Sequence, residues 1–171
     1  MPTPASALEQ LRRAIVSHDR VLAQSVTDER LAAHIAYFHR SELAVELAGH
    51  SHGGVVESLS PRFFSVTFEA MERQPYDALS RFRQAREWLG AGRCSQERVV
   101  PLPEGFAALK PVDNDWSESL KRRHREVSEA LTRAFAMRFS CAPGVPVVVV
   151  FVPATDGAHA PKILAIERGT S

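Results

Sequence analysis

Five residues between positions 39 and 52 carry the side chains that a divalent cation takes: His39, Glu42, Glu46, His50 and His52. Imidazole nitrogens and carboxylate oxygens are ordinary donors to zinc and its neighbours in the transition series. At the helical advance of about 100° per residue, His39, Glu42, Glu46 and His50 fall within one arc of roughly 80°. Leu31, Ile35, Phe38 and Val45 flank that arc on one side, and Ala32, Ala36, Leu43 and Leu47 on the other. A carboxylate in apolar surroundings is normally paired or metal-bound, because desolvating a lone charge is costly. The pattern predicts a carboxylate–histidine site, completed by His52 or His18, where a bound water is activated for hydrolysis. A helix break at Ser41, or arginines reaching the two glutamates from another helix, would dissolve it. Neither Glu-x-x-His nor His-Glu-x-x-His occurs.

The string Gly49-His50-Ser51-His52-Gly53 also fits Gly-x-Ser-x-Gly. It resembles the nucleophile elbow of α/β-hydrolases, which implies Ser51 as nucleophile on a sharp strand-to-helix turn. The apolar run 147–152 followed by Asp156 is similar to that family's acid-bearing strand, and His159 would complete the triad. The chain departs from the family where residues 40–48 read as helix in place of a buried strand. His159 also follows the acid by only three residues, with no room for the expected final strand. The same string resembles the terminal motif of calcineurin-like phosphoesterases, but their upstream Asp-x-His, Gly-Asp and Gly-Asn-His-Asp segments are absent, which excludes them.

A different chemistry is carried by Lys121-Arg122-Arg123-His124-Arg125, four cations on little more than one helical turn. Glu126 and Glu129 stand at i,i+4 from Arg122 and Arg125, so intrahelical pairs are expected on a solvated face. Arg81, Arg83, Arg86 and Arg93 could extend the basic surface towards phosphates or an acidic protein. Lys occurs only at 110, 121 and 162, so Arg supplies 18 of the 21 basic residues. Arg is the side chain that forks onto carboxylate and phosphate oxygens. Aromatic interleaving is sparse, with Trp88 and Trp116 the nearest stacking candidates, and no nucleic-acid module is recognisable.

Helices must position most of these groups. Ser6 and Glu9 have capping-box spacing, which predicts a helix to about Gln24 with Leu8, Leu11, Ile15 and Leu22 inward and His18 half-buried on the same stripe. Thr27 or Asp28 can cap a second helix over 29–48 that Gly49 ends. Residues 61–73 lean to helix. Pro75 begins a helix with Ala78, Leu79, Phe82, Ala85 and Leu89 inward, stopped at Gly90. Residues 91–115, with three prolines, read as a long connection or partner-binding arm holding at most a short strand near 99–102. Asp115 and Glu118 open a polar helix predicted over 116–139. The β-branched run 147–152 predicts a strand covered on both faces, and 163–166 an antiparallel neighbour that could accept a partner strand if it lies at the edge.

The expected fold class is α+β: a mainly helical single domain over 1–171 with a small C-terminal antiparallel β-hairpin or sheet. With 171 residues, 44% apolar and 24% charged, the chain is of ordinary globular composition, and a net charge of +1 argues against a mainly electrostatic binder of nucleic acid or membrane. Cys94 and Cys141 form no Cys-x-x-Cys pair, so a reducing, cytoplasmic setting is the simplest expectation. No secretory signal and no membrane-length apolar run is read. The leading expectation is a soluble, non-catalytic interaction or assembly protein. It would bind a protein partner through Lys121, Arg122, Arg123, Arg125 and the 91–115 segment, and need no cofactor. The alternative is a metal-dependent hydrolase on residues 39–52 with a divalent ion, followed by a serine hydrolase on Ser51.

Overall fold

The computed structural model describes residues 3–39, 77–89, 93–103, 106, 112, 114, 116–141, 144–154 and 160–169. The chain divides into two compact units. One comprises Met1–Glu29, Tyr76–Pro103 and Arg133–Ser171; the other comprises Arg30–Pro75 and Glu104–Thr132.

The first unit opens with α1 (Pro4–Ser17). Its capping box joins Thr3 and Ser6 rather than Ser6 and Glu9: each backbone N–H donates to the other's hydroxyl, at 2.8 and 3.1 Å. Glu9 instead accepts a two-point fork from Arg12 at 2.9 and 2.7 Å, with Arg13 adding a longer contact at 3.3 Å. The expected single helix to Gln24 is divided. His18 adopts the left-handed conformation at φ 55° and ψ 38°, and Asp19 then caps α2 (Arg20–Val26) by accepting the N–H of Leu22. His18 is consequently exposed rather than half-buried.

The helix expected after Pro75 is also two short ones, α4 (Ala78–Arg81), capped by Asp77, and α5 (Ala85–Leu89). Ala78, Phe82, Ala85 and Leu89 do face the core.

Four strands form one antiparallel sheet in the order β1-β2-β3-β4: β1 (Ser95–Val100), β2 (Phe135–Cys141), β3 (Val145–Val152) and β4 (Lys162–Arg168). The C-terminal hairpin predicted from 147–152 and 163–166 is present as β3 and β4, inside a larger sheet. Residues 135–139, predicted as the end of a helix, are strand because Phe139, Met137 and Cys141 bury alternate side chains against the core. Gly144, at φ 74°, supplies the left-handed backbone of the β2–β3 turn. The edge strand β1 begins four residues before the one predicted, and most of its side chains are exposed.

The core of this unit gathers Leu8, Leu11 and Ile15 of α1, Ala23 and Val26 of α2, Leu89 of α5, and Val147, Val149, Phe151 and Ile163 of the sheet. A disulfide joins Cys94, just before β1, to Cys141 at the end of β2, beside the paired Ser95 and Ser140. The two cysteines, which form no Cys-x-x-Cys pair, are thus cross-linked within this unit. The outer edge of β4 is occupied at Ile163, which bridges Thr27 and accepts the N–H of Asp28 at 3.3 Å. Arg81 covers the next carbonyl, donating to Leu164 at 2.6 Å and forking onto Glu29 with two bonds of 2.6 Å. Segment 163–166 does lie at the sheet edge, and a partner strand is blocked there over Ile163 and Leu164.

The second unit takes in most of α3 (Glu29–His39) and all of α6 (Glu118–Thr132). The predicted continuation of α3 to Ala48 and the predicted helix over 61–73 lie outside the described residues. No helix among the described residues is long and apolar enough to cross a membrane.

Candidate functional site

The geometry of the cationic run follows from the way α6 starts and which face it buries. Ser117 sets the start, its hydroxyl accepting the N–H of Leu120 at 3.3 Å and its carbonyl the N–H of Lys121 at 3.0 Å. Leu120, His124, Val127 and Leu131 then recur on a single helical stripe and are buried. That stripe puts Arg122 and Arg125 on the opposite, exposed face, together with Glu126 and Glu129. Lys121 and Arg123 flank it, partly covered.

The four cations therefore do different things. Lys121 pairs with Glu118 at 3.1 Å and Arg123 with Glu126 at 3.6 Å, both at i,i+3. Neither predicted i,i+4 pair forms: Glu126 is taken by Arg123, and no carboxylate among the described residues lies within 4 Å of Arg122 or Arg125. The exposed face is consequently a mosaic of two arginines and two glutamates.

On the buried stripe, His124 makes a contact that the sequence reading missed. Its Nδ1 lies 2.9 Å from Nε2 of His34 on α3, with both rings buried. Trp116 meets the His124 ring edge-on, centroids 5.2 Å apart. Burial, reinforced by the neighbouring His124 and Arg123, pushes the His34 imidazole down to about 3, so this ring is neutral at physiological pH. One ring must donate and the other accept. Nitrogens that share a proton in this way are not both available to a metal ion. The signal that could have located His124 is its i+4 spacing from Leu120, hidden inside a run read for its charge.

Of the predicted metal set, His39 ends α3. Glu42, Glu46, His50 and His52 lie outside the described residues, as do Ser51, Asp156 and His159. His18, proposed to complete the metal set, belongs to the first unit at the α1–α2 turn. Among the described residues, no group of three or more His, Cys, Asp or Glu side chains is placed to hold a metal. Comparison with known protein families, curated proteins and solved structures finds no match for this chain.

Proposed function

We propose that the chain is a non-catalytic interaction or assembly protein whose exposed α6 face docks on a protein of complementary mixed charge. The observation that carries this reading is the presence of Arg122 and Arg125 on that face without ion-pair partners among the described residues. Each retains a planar fork of donors for carboxylates or carbonyls. Glu126 and Glu129 interrupt the positive field, which favours a patterned protein surface over a nucleic-acid backbone, whose phosphates reward contiguous cations. Strand β1, within the 91–115 segment, is by itself mostly exposed. The residues that would carry the metal-hydrolase and Ser51 readings lie, apart from His39 and His18, outside the described residues.

The Cys94–Cys141 disulfide favours an oxidising setting over the cytoplasmic one expected from sequence, since such bonds are rare where glutathione keeps thiols reduced.

The test is co-purification with R122E/R125E. Arg123 is left unchanged because it is partly covered and paired. Loss of a specific co-purifying protein, with the unfolding temperature unchanged, supports the reading; identical capture by both proteins overturns it.

A further inference from the structure

A cleft of about 620 Å³ opens in the first unit beside the α1–α2 turn. Its volume lies in the range of small-molecule sites, roughly 300–1,000 Å³. Ile15 and Leu79 supply its apolar lining, while His18, Arg83 and Arg86 supply donors. His18 is the sole non-glycine residue with positive φ among those described, and it lines this cleft. That conformation is the left-handed cap that ends α1 and brings the ring to the rim of the cleft.

The electrostatics of the lining are unbalanced. Arg20 and Asp77 neutralise one another at 3.2 Å. Asp77 is further engaged by the Leu79 N–H at 3.2 Å and the Ser80 hydroxyl at 3.3 Å, so its carboxylate is committed to the α4 cap. Arg83 and Arg86 are both exposed and have no carboxylate within 4 Å among the described residues. The turn between α4 and α5 fixes their spacing, with the Arg86 N–H donating to the Arg83 carbonyl at 3.3 Å. A dianion between two guanidinium groups that have no carboxylate partner among the described residues can take charge-assisted hydrogen bonds from both.

We infer that this cleft binds a small organic phosphate monoester, with the phosphate held by Arg83 and Arg86 and met by His18. The organic part rests on Ile15 and Leu79. Phosphate suits the site better than carboxylate because three terminal oxygens can engage two arginine forks and an imidazole N–H together. The inference is independent of the α6 reading, which concerns the other unit.

Isothermal titration of the full chain with phenyl phosphate, inorganic phosphate and benzoate tests it. The expected result is saturable 1:1 binding of phenyl phosphate in physiological salt, with inorganic phosphate and benzoate each weaker by about fivefold or more. R83A/R86A is expected to weaken phenyl phosphate by about tenfold, equivalent to ~1.4 kcal/mol, with the ligand-free unfolding temperature unchanged. R122E/R125E is expected to bind as the unaltered chain does. Absence of saturation at millimolar phenyl phosphate, equal affinity for all three probes, or equal loss in both arginine variants would overturn the inference. Equal loss would mark a diffuse charge effect.

Discussion

Nε2 of His34 and Nδ1 of His124 face each other at 2.9 Å, two buried rings brought together across 90 positions of sequence. The unfolded chain takes up a proton at His34 near pH 6.5, whereas the folded chain resists it until about pH 3. A depressed base of this kind supports stability above its unfolded value and withdraws it as pH falls. The slope should approach ~1.4 kcal/mol per pH unit across that window. Denaturant titrations between about pH 7 and pH 4 should show the loss, and His34→Leu should flatten it. A His34 ring-proton resonance titrating near its ordinary value would contradict the arrangement.

The Glu29–Arg81 fork closes the outer edge of β4 with a carboxylate that is largely buried. Removing the guanidinium leaves Glu29 charged and also strips the Leu164 carbonyl of a donor. Arg81→Met is therefore expected to cost about 3–5 kcal/mol in urea unfolding. Removing both charges in E29Q/R81M should cost less than the single change, because no buried charge is then stranded. A loss below about 1 kcal/mol for Arg81→Met would place the pair among the inconsequential surface bridges.

The disulfide spans a sequence separation of 47 residues. Chain-entropy arguments give roughly 4 kcal/mol for closing a loop of that length, and measured bonds commonly deliver 2–4 kcal/mol. C94S/C141S should fall in that range by urea titration. Thiol counting on the denatured chain should find none before reduction and two afterwards. Two free thiols in protein purified under oxidising conditions would contradict the pairing.

Legibility in the sequence followed the kind of force involved. Strand β3 was readable because six consecutive β-branched or aromatic residues, 147–152, have no polar face to turn outward. Strand β1 was nearly invisible because an edge strand with solvent on most side chains carries no alternation. The sequence pattern runs strand β2 into the preceding helix, although Phe135, Met137, Phe139 and Cys141 alternate, because the boundary near Thr132 carries neither Gly nor Pro. The break at His18 has the same cause, since only Asp19 as a cap announces it. In α6 the solvated side of the cationic run is legible, but the buried place of His124 and the ion-pair partners are not. Glu126 chose Arg123 over Arg122, a matter of side-chain geometry within one turn. The His34–His124 contact depends on two helices meeting, which local spacing does not encode.

The most direct measurement of the central claim compares partner capture by the unaltered chain, R122E/R125E and E129R, with retention on heparin run in parallel. Docking on a mixed-charge protein surface predicts that both variants lose the same captured protein by about tenfold, and that heparin retains the unaltered chain weakly. Capture that survives both changes, or that strengthens in E129R alongside tighter heparin retention, would contradict it and point to a polyanion.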